Sequence, residues 1–87
     1  MHAAIVHANI SDVAEAKRGV EEMVIPQLKG APGFVAAYFV AIDDAHGISF
    51  VVFETEEQAR AAAPTEGSAA AGVAVETLQI GKVIGAA

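Results

Sequence analysis

The stretch Ile25-Pro26-Gln27-Leu28-Lys29-Gly30-Ala31-Pro32-Gly33-Phe34 decides the fold, because it closes a helix and opens a strand. Pro26 has no backbone N–H for the carbonyl of Glu22, so the helix is expected to kink or break there. Gly30 is expected to end the helix at positive φ, and Pro32-Gly33 to turn the chain into the strand. Upstream, residues 3–10 (AAIVHANI) read as a strand. Ser11 or Asp12 is placed to cap the first helix, since either side chain accepts a free N–H of the opening turn. From there Val13, Ala16, Val20, Met23, Val24 and Leu28 recur at helical spacing. Lys17–Glu21 and Arg18–Glu22 lie four apart on the opposite, wet face. The first half of the chain is β-α-β.

Downstream, Phe34 to Ile42 is nearly all apolar and reads as a strand. Asp43-Asp44-Ala45-His46-Gly47 makes a hairpin connection, with Gly47 available for positive φ, and Ile48 to Phe53 returns. Thr55-Glu56-Glu57-Gln58 is a capping box opening a second helix, which Pro64 cuts short. Glu54 and Arg60 are placed for a surface contact. Residues 65–72 read as a loop or a loose helical turn. Val73 to Ile84 supplies the last strand, with Gly81 as a bulge or bend. The order β-α-β-β-α-β over 1–87 is a single ferredoxin-like α+β domain: a four-stranded antiparallel sheet with both helices on one face.

Composition bears on the other face. An 87-residue chain buries only about 60–65% of its unfolded surface and is marginal alone. It has no cysteine to form a disulfide, yet 54% of its residues are hydrophobic and its mean hydropathy is +0.46. The two middle strands do not alternate apolar with polar, so both faces are expected to be covered. The expected cover is a second copy, giving a homodimer through the sheet face. A net charge of −6 repels phosphate backbones and anionic headgroups, so neither nucleic acid nor a membrane surface is an expected partner. No apolar run approaches the roughly 18–20 residues of a membrane span, and the N-terminus lacks the basic and apolar regions of a signal peptide. A cytoplasmic protein is the expectation. The three histidines have no ligand-like spacing, and no metal or cofactor is expected.

Three stretches resemble the dimeric α/β-barrel superfamily, in particular its antibiotic biosynthesis monooxygenase-like group. They are Val24-Ile25-Pro26-Gln27-Leu28 running into Ala31-Pro32-Gly33-Phe34, Phe50-Val51-Val52-Phe53-Glu54-Thr55-Glu56-Glu57-Gln58-Ala59, and the closing apolar strand. The resemblance implies a homodimer whose sheets form a barrel, with a small pocket in each subunit between sheet and helices. Members include cofactor-independent quinone-forming monooxygenases, heme-degrading enzymes and isomerases. This chain has Phe53 where many active members carry Trp, and no histidine in Ala63-Pro64-Thr65-Glu66-Gly67-Ser68. Asn9 lies too near the first helix to match the asparagine of the heme-degrading members. No catalytic residue is therefore carried over.

Candidate ligand contacts come from polar groups in apolar strands. His7 and Asn9 are two apart and share a face, His7 as a general base and Asn9 orienting a carbonyl or phenolate. A hydrogen-bonded histidine at a rim or interface is the plainer reading of the pair. Tyr38 offers a hydroxyl to a substrate oxygen or to a backbone partner. Gln79 shares a face with Thr77, while Phe39, Phe50 and Phe53 are candidate pocket walls. Two functions are expected on these grounds. One is a cofactor-independent monooxygenase acting on a small aromatic or polyketide-like molecule. The other is a non-catalytic dimeric domain that binds a small ligand or has lost its pocket.

Overall fold

The computed structural model describes residues 1–64, 66–70 and 72–87. Strand β1 (His2–Ile10) leads to α1 (Val13–Gly19), a π-helical stretch over Val20–Val24, and α2 (Ile25–Lys29). Next come strands β2 (Phe34–Ala41) and β3 (His46–Phe53), helix α3 (Glu56–Ala62), the two-residue β4 (Ala69–Ala70) and β5 (Val73–Lys82). The sheet order is β2-β3-β1-β5-β4, antiparallel throughout. Four long strands and two helical segments make an α+β fold compatible with a ferredoxin-like arrangement, β4 being a short addition outside β5. The two helical segments share a side of the sheet, because Leu28 of α2 and Ala59 of α3 pack in one cluster with Val51 and Phe53.

Several local expectations are realised in detail. Asp12 is the cap of α1, its Oδ1 accepting the N–H of Glu15 at 3.1 Å. The capping box closes both ways, Gln58 N–H to Thr55 Oγ1 at 3.1 Å and Thr55 N–H to Gln58 Oε1 at 3.2 Å. Asp43 shapes the hairpin by accepting the N–H groups of Ala45 and His46, each at 2.8 Å. Gly33 takes the turn into β2 at φ 76°.

Other expectations are corrected. The chain does not leave the helix at Pro26: Val24 and Ile25 keep right-handed helical dihedrals, and Ile25 N–H reaches back five residues to Val20. The π turn absorbs the missing donor. Gly30 stays right-handed at φ −91°, so the positive φ falls at Gly33 instead. Gly47 is not among the positive-φ glycines; what holds it is space, since a Cβ there would meet Ile10 Cδ1 at 2.9 Å and Val40 O at 3.2 Å. The irregularity of β5 is not at Gly81, which pairs regularly with Ala3, but at Glu76, skipped between Thr77 opposite His7 and Val75 opposite Ala8. Arg60 pairs with Glu56 at 3.1 Å rather than with Glu54. The region 65–72 contains β4, while Thr65 and Ala71 lie outside the described residues.

The π turn explains a packing result. In an uninterrupted α-helix, Leu28 would lie about 120° round from Ala16, twelve residues (28 − 16) at about 100° each. A π turn takes about one extra residue, returning Leu28 towards the face of Ala16. These two are the buried residues of the helix, whereas Met23 is 57% exposed. The core is thin: Phe53 is the largest side chain fully enclosed, set edge-on to Phe34 with ring centroids 6.0 Å apart.

Candidate functional site

Strand pairing assigns every candidate to a face, because directly opposed residues in an antiparallel pair point to the same side. The helix side carries Phe53, Val51 and Ser49 with their partners, including Ala4, Val6, Ala37 and Phe39. Across the other side run the rows Ala36–Val52–Ala3–Gly81, Tyr38–Phe50–Ile5–Gln79 and Val40–Ile48–His7–Thr77, with His46, Asn9 and Ala74 beyond. No helix lies there among the described residues. Tyr38 is 67% exposed, and Val40, Phe50, His7, Asn9, Thr77 and Gln79 are exposed too.

The seven candidates therefore do not converge on one pocket between sheet and helices. His7, Asn9, Tyr38, Phe50 and Gln79 occupy the open face, and Phe39 and Phe53 the helix side. The expected sharing of a face by His7 and Asn9, and by Thr77 and Gln79, holds. His2 lies opposite Phe53 on the helix side, where its Nδ1 is shut from water without a partner. Sequence reading passed over that atom. The signal was the spacing of five from His7, an odd number that puts two residues of one strand on opposite faces.

The described surface carries depressions on both the helix side and the strand ends. One, of about 260 Å³, lies on the helix side against Ala31, Pro32, Phe53, Gln58, Ala61 and Ala62. Its single polar side chain is Gln58, whose Oε1 already accepts the Thr55 N–H. The other, of about 440 Å³, opens at the end of β1 and β5 beside Asn9, Ser11 and Gly72. There Ser11 gives both its N–H and its hydroxyl to Gly72 O, at 2.8 and 3.2 Å, which ties the strand end and leaves Asn9 as the free polar side chain.

Electrostatically the open face stands apart from the rest of the molecule. The chain has 11 acidic and 5 basic residues, yet none occupies a position in those rows. Beside them stand Glu76 at the bulge of β5 and Asp43 in the hairpin turn, in contact with His46 Nδ1 at 3.0 Å. The Ala45 N–H first, and then His46, hold the Asp43 carboxyl below the usual carboxylate range. Among the described residues, no three His, Cys, Asp or Glu side chains gather to hold a metal. No helix among them is long and apolar enough to cross a membrane.

Compared with known families, with curated proteins and with solved structures, the chain matches none. What defines the site is thus its own geometry: an uncovered, charge-free sheet face bearing a band of uncharged polar side chains.

Proposed function

We propose that this chain is a homodimeric domain of the dimeric α/β-barrel kind, acting as a non-catalytic scaffold whose paired sheet faces take up a small molecule. The observation that carries it is the open face, apolar at its centre and free of charged residues in a chain of net charge −6. Two identical copies meet there without like-charge contact.

Area supports a second copy as the occupant. The chain exposes 5569 Å², against about 4,800 Å² for a typical folded monomer of its mass. The excess is close to the roughly 800 Å² that one partner contributes to a standard interface. Four strands at about 4.8 Å spacing and eight residues at about 3.3 Å give a face about 19 by 26 Å, enough for such a contact.

The monooxygenase reading asks for a ring-sized cavity with converging polar groups between sheet and helices. The depression on that side offers Gln58 alone, already engaged in the cap. The described groups that remain for a ligand are Tyr38, His7, Asn9, Thr77 and Gln79, on the face the dimer closes.

Sedimentation velocity tests the reading. Wild type is expected near twice 8.9 kDa, and Phe50→Lys as single copies with the circular dichroism of the parent. A wild-type chain that sediments as one copy at micromolar concentration overturns it. Oxygen uptake with anthrone-like phenols is expected to be nil; turnover restores the enzyme reading.

A further inference from the structure

We propose that mild acidification separates the two copies by charging His7; this rests on the face-to-face reading above. The inner strands of the sheet are β3 and β1, and the middle of the open face is formed by Phe50, Ile5, Ile48 and His7. His7 is the one titratable residue among these four. A two-fold axis through the middle of the face sets each His7 into the apolar layer contributed by the other copy.

The surroundings of His7 contain nothing to balance a positive charge. Ile48 and Thr77 lie directly across from it, with Ile5 and Asn9 along its own strand. The titratable groups on or beside this face are His46 at a diagonal position, engaged by Asp43, then Tyr38 one row away, and Glu76, exposed at the bulge of the outer strand. A second copy presents the same set. Helices α2 and α3 pack on the opposite side of the sheet. The His7 side chain makes no hydrogen bond or ion pair among the described residues.

A neutral imidazole is tolerated in such a layer, whereas an unpaired imidazolium is not. An imidazole ordinarily exchanges its proton between about pH 5 and 8. The free copy therefore binds the proton and the paired copy resists it. Linkage then fixes the sign: association is complete above the histidine range and weakens as pH falls through it. With one such group per copy, the dissociation constant rises by up to about a hundredfold per pH unit below the titration of the free copy.

Sedimentation equilibrium of the intact chain from pH 8 to pH 5.5, at fixed ionic strength, tests this with wild type, His7→Gln, His7→Phe and His46→Gln. Circular dichroism at each pH confirms that the fold persists. The dissociation constant of wild type and of His46→Gln is expected to rise at least tenfold over that interval. The constants of His7→Gln and His7→Phe are expected to stay level. A wild-type dimer of unchanged affinity, or a slope that survives in both His7 variants, overturns the role of His7 and leaves the dimer standing. A single copy at pH 8 overturns the dimer itself, and the switch with it.

Discussion

Replacing Phe53 by Ala is expected to lower unfolding free energy by about 3–5 kcal/mol, because this ring is 1% exposed and braced edge-on by Phe34. Denaturant unfolding in a Phe50→Lys background measures it free of any association between copies. Glycines give a finer test. Gly33 and Gly67 both hold positive φ, at 76° and 82°, but Gln58 fills the space a Gly33 Cβ would enter, whereas nothing lies within 4 Å of Gly67. Gly67→Ala is expected to cost about 1–2 kcal/mol for backbone conformation alone. Gly33→Ala adds displacement of Gln58 from its cap and costs measurably more; equal costs in thermal unfolding would contradict the packing. Asp43 supplies the pH test at this scale. Its carboxyl titrates below the ordinary value in the folded chain. The stabilisation it gives is therefore present above the ordinary carboxylate range and lost as pH falls through the depressed value. Wild type is expected to lose its advantage over Asp43→Asn only in strong acid, as followed by amide exchange at Ala45 and His46.

Among the elements, the first helix is the instructive one. Its π stretch brings Leu28 round towards the face of Ala16, so Leu28→Ala is expected to lose about 2–5 kcal/mol in denaturant unfolding; a loss no larger than that of the exposed Met23→Ala contradicts this. Thr55→Ala is expected to cost about 1 kcal/mol through the lost cap. These two elements show what a sequence reveals and what it hides. The capping box of Thr55 and Gln58 was legible because both bonds are local and each needs a particular residue type. So was the Pro32-Gly33 turn. The π stretch was not, because a fixed period of 3.6 spreads Val20, Met23, Val24 and Leu28 along one drifting stripe. Pro26 signalled only that a donor was missing, and not that the backbone would remain helical by reaching one residue further. The bulge at Glu76 was equally silent, since skipping a residue is decided by the partner strand β1 and not by Glu76 itself.

The whole molecule poses the question of the uncovered face. Continuous apolarity in β2 and β3 announced that both sides of the sheet need cover. It did not tell which side held His7, Tyr38 and Gln79, because that depends on register across four strands. Once the register is known, the candidates separate, and most of them lie on the open face rather than on the helix side. Tyr38→Ala distinguishes the two placements. On the joining surface it weakens association while leaving single-copy stability within about 0.5 kcal/mol, as an exposed residue should; a larger loss in the dissociated chain would place Tyr38 in the core instead. The most direct measurement of the face-to-face pair is an isotope-filtered nuclear Overhauser spectrum on an equal mixture of labelled and unlabelled chains at pH 8. Cross-peaks between copies linking the side chains of Ile5, Ile48, Phe50 and Tyr38 are the predicted result. Their absence in a sample whose mass is that of one chain, or their appearance instead at Met23 and Val24 on the helix, would contradict it.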